Sequence, residues 1–362
     1  MSRPALLDKL FQAGKWLLKP GLVPVDDVTI KRNQTAVYVA LDALIRQGGG
    51  LAVGSDKRIY VDFSLMPTDA FEELLKSIRV PIWLTGHKNF YVNGEVGSDT
   101  LDEGRGLTED KPFASLQAAL NHVSDTYNLG KYALTIILAD GDYGNSSIQL
   151  PSYTTSSGRI TIRGKTTNAE NVKIGRVFIN TPAEYYIDHL TIKPASPSKG
   201  ALYVCDCQNG TVNLRNVIFD LREVEPLIDQ PYRTLCARGG IIRIPSTNTE
   251  EPTGIKILPH STRSFTPLYA SVGTISFIAD ITLDGDMSVL GAFAYATNGG
   301  NIQRGWYNDS NPGRLPIVTA TGQVTGKRYL ASMNGVIDSY RGGDEFFPGS
   351  AAGTVETGGQ YG

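Results

Sequence analysis

Hydrophobic positions recur with a helical period in the first part of the chain and alternate in short runs after it. Residues 33–47 and 67–79 place apolar side chains three or four positions apart, and this spacing predicts two helices. Residues 58–65 alternate apolar and polar side chains, and they predict a strand between the two helices. Together these elements predict a small mixed α/β module over residues 1–87.

From residue 88 onward, short β-branched runs follow one another, and each run ends at Gly, Pro, Asn or Asp. The predicted strands are 134–140, 159–164, 173–180, 185–193, 201–206, 211–221, 239–245, 254–259, 274–283 and 289–297. Many short strands at nearly even spacing are typical of a sandwich, a barrel or a stacked β-solenoid.

One predicted helix, residues 112–127, interrupts this second part, and Asp110 lies near its start. Its apolar face consists of Phe113, Leu116, Leu120 and Val123. An amphipathic helix before the first strand would cover the open end of a stack of strands. Related short sequences such as ITIRG and LTIKP also recur along the chain. Both observations favour a solenoid over a sandwich or a barrel. At roughly 20–25 residues per turn, residues 131–306 would form about seven to nine turns.

Composition and charge argue against a nucleic-acid partner, a membrane span and a disulfide-stabilised fold. The formal net charge is −2 and the isoelectric point is about 6.1, so a strongly basic nucleic-acid-binding surface is not expected. No apolar run is long enough to span a membrane, and lysines interrupt residues 1–24 where a signal peptide would need a continuous apolar core. Three cysteines are too few for a disulfide scaffold, and synthesis in a reducing cytoplasm is expected.

Three segments resemble the tail fibres and tailspikes of bacteriophages and prophages. Residues 89–119, NFYVNGEVGSDTLDEGRGLTEDKPFASLQAA, are similar to the opening of their right-handed parallel β-helix domains, where a Gly-rich loop and a capping helix precede the stacked strands. Residues 341–362, with the phrase FFPG…AGTV…GGQY, resemble the end of many such chains. Residues 65–92 also resemble phage tail protein sequences. The middle of the chain resembles them only in its general pattern of short strand-like runs that end at turn residues.

This resemblance implies a right-handed parallel β-helix over residues 88–306 and a homotrimer. It also implies that residues 1–87 attach to other phage tail or baseplate proteins, and that residues 307–362 form a distal or trimer-locking tip. The protein would be made in the host cytoplasm and become part of the virion, where it binds a host surface polysaccharide.

Candidate catalytic residues are sought among carboxylates, because tailspikes often hydrolyse polysaccharide and glycoside hydrolysis needs two carboxyl groups. The weak candidates in adjacent predicted strands are Asp188, Asp206, Asp220, Glu223 and Glu225. Asp188 and Asp206 are 18 residues apart, close to one turn, so they would stack. The alternative interpretation is that all five are solvated side chains at strand faces and corners.

No metal site or cofactor is expected from the remaining chemistry. The four histidines are scattered, and strand alternation would point His189 away from Asp188. Cys205 and Cys207 would face the same way, and with Cys236 they would supply three metal ligands, although small residues stacked in the solenoid interior are the favoured interpretation.

Aromatic residues are the stronger hint of a binding surface, because exposed rings with polar neighbours bind sugars. Residues 295–314 form a polar, loop-rich segment with two adjacent aromatic residues. The predicted receptor-binding residues are Tyr295, Asn298, Trp306, Tyr307, Asn308 and Asp309. An equally strong alternative is that these aromatic residues lie in a trimer interface.

The favoured function is a structural tail fibre or short tailspike subunit that binds a host receptor. One alternative is a polysaccharide depolymerase on the same fold, either a glycoside hydrolase or a lyase. Another is a virion adaptor that docks a second fibre and does not contact the host. The fold alone does not separate these functions, because one scaffold hosts both binders and enzymes.

Overall fold

A computed structural model describes residues 51–53, 59–61, 81–144, 147–194, 203–224, 232–245, 254–305 and 315–362. The chain divides into two compact units, residues 1–82 and 83–362. In the first unit, Leu51–Val53 pairs antiparallel with Ile59–Val61, so the strand predicted within 58–65 is confirmed. The helices predicted at 33–47 and 67–79 lie outside the described residues.

The second unit is a solenoid of parallel strands arranged in three faces, with one helix near its start. Each turn contributes a strand to the first face, then to the second and then to the third before the chain returns to the first face. Two long strands, Val177–Ile192 and Tyr203–Asp220, bend around the corners and contribute to all three faces. The predicted parallel β-helix-like solenoid is therefore confirmed.

The other strands fall on the faces as follows. The first face contains Lys88–Val92, Leu134–Leu138, Ile160–Gly164, Ile241–Ile244, Thr274–Phe277, Asn301–Arg304, Val336–Asp338 and Gln360–Tyr361. The second contains Gly141–Tyr143, Val172–Ile174, Ile255–Leu258, Ile281–Leu283 and Val318–Ala320. The third contains Ile148–Leu150, Tyr232–Ala237, Ser264–Ser271, Met287–Val289, Ala294–Thr297, Val324–Thr325, Tyr329–Ala331 and Thr354–Val355. Two short strands, Ile82–Trp83 and Tyr127–Asn128, lie outside this sheet.

The core consists of apolar columns that run along the inside of the stack. One column on the first face contains Leu134, Ile160, Tyr185, Val212, Ile242, Ile275, Ile302 and Ile337, all fully buried. Its neighbouring members are 25 to 35 residues apart, so the turns are longer than the predicted 20–25 residues. The extra length lies in the corners and loops, which the spacing of apolar residues does not reveal.

The helix Leu116–Thr126 packs its buried face against the start of the solenoid, as predicted, although it begins four residues later than expected. Its N-cap is Ser115, whose side chain accepts a hydrogen bond from the Ala118 amide. Asp99 supports this end, since its carboxylate accepts hydrogen bonds from the backbone amides of Ala114 and Ser115 and from the Ser115 hydroxyl. The helix N-terminus is therefore organised by a carboxylate 16 residues upstream and not by the predicted Asp110.

The parallel stacking continues beyond residue 306, where the sequence interpretation placed the end of the β-helix. Val336–Asp338 and Gln360–Tyr361 add two further strands to the first face. Phe347 is fully buried, and its ring lies 6.1 Å from that of Phe293. Phe347 thus adds to the core from beyond residue 306, and the distal role given to residues 307–362 stays a prediction.

Candidate functional site

The three described aspartates among the predicted catalytic residues lie on three different faces. Asp188 lies on the first face, in register with Arg215 on the next turn. Asp206 lies on the third face, in register with Phe178, and Asp220 lies on the second face. The predicted stacking of Asp188 on Asp206 is wrong, because 18 residues is much less than one turn.

Asp188 is enclosed by cationic and aromatic neighbours on the first face. Its Oδ2 atom accepts a hydrogen bond from Arg215 Nη2 at 2.8 Å, and its Oδ1 atom lies 2.6 Å from His189 Nδ1. The prediction that His189 points away from Asp188 is wrong, because His189 adopts a left-handed backbone conformation with φ of 54° that breaks the strand alternation. Tyr186 completes the group, with its ring 5.2 Å from the Arg215 guanidinium carbon.

Asp220 and Glu223 are each held in an ion pair. Arg222 donates two hydrogen bonds to Asp220, both at 2.9 Å. Burial raises the pKa of Asp220, but the hydrogen bonds and charge of Arg222 outweigh that effect and leave the pKa below its usual value. Glu223 pairs with Lys193 at 2.7 Å, whereas Glu225 lies outside the described residues. Asp220 is therefore a charged partner of Arg222, and its lowered pKa does not suit a general acid.

The cysteines do not converge on one site. Cys205 and Cys207 point into the solenoid interior as predicted, but Cys236 is in register with Asp206 and points to the opposite side of the sheet. All three are fully buried, and burial raises the pKa of Cys207 and of Cys236 to about 12. Within the described residues, no group of three or more His, Cys, Asp or Glu side chains is arranged to hold a metal ion.

The outer side of the third face carries a row of tyrosines and arginines that crosses four turns. It is called the tyrosine–arginine ladder and consists of Tyr203, Arg233, Arg238, Tyr269 and Tyr295. Tyr203 is in register with Arg233, and Tyr269 is in register with Tyr295. Parallel strands in register place equivalent side chains about 4.8 Å apart. The two pairs lie in different columns of the face, and the side chain of Arg233 joins them by reaching both the Tyr203 and the Tyr269 ring.

Rings and guanidinium groups alternate along this ladder. The guanidinium carbon of Arg233 lies 3.4 Å from the centre of the Tyr269 ring and 5.5 Å from that of Tyr203. Arg238 covers the Tyr203 ring at 4.2 Å. The Tyr269 and Tyr295 rings meet edge to face, with centroids 5.3 Å apart. These contacts fix the rings in place, so a ligand would meet a surface that needs little reorganisation.

Asp206 anchors one end of the ladder. Arg238 donates hydrogen bonds to both of its carboxylate oxygens, through Nε at 3.0 Å and through Nη2. The hydrogen bond and charge of Asp206 raise the pKa of Arg238 above its usual value. Asp206 and Tyr269 are buried, whereas Tyr203, Arg233, Arg238 and Tyr295 are half-buried and present ring surface and N–H donors to the outside. Such a strip can stack on sugar rings and donate hydrogen bonds to their oxygens.

Of the predicted receptor-binding residues, Tyr295 belongs to the ladder. Asn298 lies at the next corner, where its side chain donates a hydrogen bond to Ser271 Oγ at 3.2 Å. Trp306, Tyr307, Asn308 and Asp309 lie outside the described residues. Sequence reasoning missed Tyr203, Arg233 and Arg238, because only the packing of side chains between turns brings Arg233 onto the Tyr269 ring and both arginines onto the Tyr203 ring.

The fold and the ladder define a parallel β-solenoid with an aromatic and cationic strip on one face. No family model matches the chain, and no curated protein or solved structure matches it either. Among the described residues, no helix has the length and hydropathy that a membrane crossing needs.

Proposed function

We propose that the protein is a structural subunit of a phage tail fibre or short tailspike that binds a host surface polysaccharide through the tyrosine–arginine ladder. The observation that carries this proposal is the pairing of Tyr269 with Tyr295 on one outer face, with the Arg233 guanidinium between the rings of Tyr269 and Tyr203. A repeating strip of rings and donors suits a repeating sugar chain. The sequence resemblance to tail fibres supplies the biological context.

The carboxylates favour binding over cleavage. A glycosidase needs one protonated and one ionised carboxyl group on either side of the scissile bond. Here Asp188, Asp206 and Asp220 are each bound to an arginine, and they lie on separate faces. The depolymerase and the adaptor therefore stand as alternatives that the binding experiment distinguishes.

The finer architecture of this proposal is a right-handed β-helix in a homotrimer. A right-handed path is the rule for parallel strands joined by crossover connections. Three solenoids side by side would bury flanks that a single solenoid leaves in water, and closed threefold symmetry suits a fibre. In this arrangement, residues 1–87 attach to the virion and residues 307–362 form the distal tip.

The test of binding uses the full chain against a panel of purified bacterial capsular and O-antigen polysaccharides, measured by biolayer interferometry. Arg233→Ala and Tyr295→Ala should each weaken binding by about tenfold, since one stacking contact contributes roughly 1–2 kcal/mol. Tyr186→Ala is the matched control, because Tyr186 is also a half-buried tyrosine against arginines but lies on the first face. Equal losses in all three variants would refute the assignment to the ladder.

Two further readouts separate the alternatives. Release of reducing ends or unsaturated sugars from a bound polysaccharide would support the depolymerase. Binding to no polysaccharide and to no whole cells would support the adaptor. Light scattering behind a sizing column tests the trimer, which should have three times the chain mass of 39.2 kDa; a monomer would contradict the fibre.

A further inference from the structure

The second face contains a groove of about 340 Å³ that is separate from the tyrosine–arginine ladder. Its floor includes Ile218, and one wall is formed by residues 167–170. Lys256, Asp280 and Thr282 line the other side. The volume lies within the range of small-ligand sites in proteins, so the groove can accept a ligand about the size of a sugar unit.

The wall formed by residues 167–170 is held over the face by side-chain hydrogen bonds. The Thr191 hydroxyl donates to the Ala169 carbonyl at 2.8 Å, and the Asn216 amide donates to the Thr167 carbonyl at 3.1 Å. Thr191 and Ile218 occupy outward positions of the second face, yet both are buried, since this loop covers them. The groove is therefore built into the turn.

The lining is mostly polar. Thr167, Asn168 and Thr282 offer hydroxyl and amide groups, whereas Ile218 is almost completely covered by the loop of residues 167–170. Charge argues against an anionic ligand, because Glu170 and Asp280 line the groove and Lys256 lies 3.6 Å from Asp284. Neutral vicinal hydroxyls can donate to such carboxylates and can accept hydrogen bonds from Lys256 and from the hydroxyl and amide groups of the lining.

We propose that this groove is a second carbohydrate site, which binds one uncharged sugar unit. The site lies on the second face and does not share any lining residue with the ladder on the third face. The proposal does not rest on the phage assignment or on the ladder, because each site is tested with its own variants.

The test is saturation-transfer NMR on the full chain with methyl glucoside, methyl galactoside and N-acetylglucosamine as neutral probes and glucuronate as the anionic comparison. Thr282→Trp should fill the groove and weaken neutral-sugar binding at least tenfold. Thr319→Trp is the matched control, because Thr319 occupies the next outward position in the same column but is exposed and outside the groove. Because the ladder would also bind sugars, the signal assigned to the groove is the part that Thr282→Trp removes and Thr319→Trp retains.

Glu170→Gln provides a second variant, since Glu170 is exposed and its amide replacement should not disturb folding. It should weaken neutral-sugar binding several-fold while the circular dichroism spectrum and thermal midpoint stay the same. The proposal is overturned if no neutral probe binds at millimolar concentration, if glucuronate binds better than the neutral sugars, or if Thr282→Trp and Thr319→Trp behave alike.

Discussion

The guanidinium carbon of Arg233 lies 3.4 Å from the centre of the Tyr269 ring, although the two residues are 36 positions apart in the chain. They lie on neighbouring strands of the third face, Tyr232–Ala237 and Ser264–Ser271. The contact therefore joins two turns of the solenoid on the outer side, where no apolar column contributes. It also holds the ring at the centre of the ladder in one orientation.

This contact should appear as a coupling free energy between the two residues. In a double-mutant cycle with Arg233→Ala and Tyr269→Ala, we expect a coupling of about 1 kcal/mol in the free energy of unfolding, because a partly buried cation–π contact is of that size. Urea unfolding followed by circular dichroism measures it.

Tyr269→Phe serves as the control, since it keeps the ring and should keep most of the coupling to Arg233. A coupling near zero in the alanine cycle would mean that the two side chains do not interact in solution. In that case Arg233 would not hold the Tyr269 ring in a fixed orientation within the ladder.

The solenoid could be predicted from the sequence because its inner columns leave a strong local signal. Strands such as Leu134–Leu138 and Ile255–Leu258 alternate buried and half-buried residues, and the helix Leu116–Thr126 carries a clear apolar face. The length of a turn was underestimated, since it depends on corners and loops without a regular apolar pattern. The same difficulty misplaced Asp188 relative to Asp206.

The candidate site was harder to predict, because its members come together only through the register between turns. Tyr269 and Tyr295 stand out in the sequence as aromatic residues, but nothing in the sequence around Arg233 distinguishes it from the other arginines of the predicted strands. His189 shows a second limit. Its left-handed backbone turns it toward Asp188, and a single histidine in a strand-like run does not indicate such a corner.

Asp99 should stabilise the capping helix from outside it. Replacing it by alanine removes acceptors for the amides of Ala114 and Ser115 at the helix N-terminus, and we expect a loss of about 1 kcal/mol in the free energy of unfolding. Urea unfolding of the full chain measures this change.

Asp102→Ala is the matched control, because Asp102 makes an exposed ion pair with Arg105 and such pairs contribute little. If Asp99→Ala and Asp102→Ala destabilise the protein equally, the hydrogen bonds from Asp99 to residues 114 and 115 do not stabilise the helix N-terminus.

Asp220 should make the stability depend on pH in the acid range. Its pKa is lowered in the folded protein by Arg222, which outweighs the opposing effect of burial. The resulting stabilisation is present above the unfolded pKa of about 3.9 and is lost as the pH falls through the folded pKa. Asp220→Asn should therefore destabilise the protein at pH 7 and have a smaller effect at pH 3.

Urea unfolding at the two pH values measures that difference. Glu223→Gln is the control, since Glu223 makes an exposed ion pair with Lys193 and its replacement should change little at either pH. If Asp220→Asn lowers the free energy of unfolding by the same amount at pH 7 and pH 3, the charged form of Asp220 is not stabilised by Arg222 in the folded protein.

The three cysteines should be unreactive in the folded protein. All are fully buried, and burial raises the pKa of Cys207 and Cys236 to about 12 and that of Cys205 well above its usual value. The thiolate is the reactive form, so Ellman's reagent at pH 8 should label none of them within minutes and all three after unfolding. Thr319→Cys, an exposed position on the second face, is the positive control.

Cys236 gives the most informative result, because it lies on the outer side of the third face, in register with Asp206 and Tyr269. If native protein reacts at one thiol and Cys236→Ser abolishes that reaction, the ladder does not cover this face in solution.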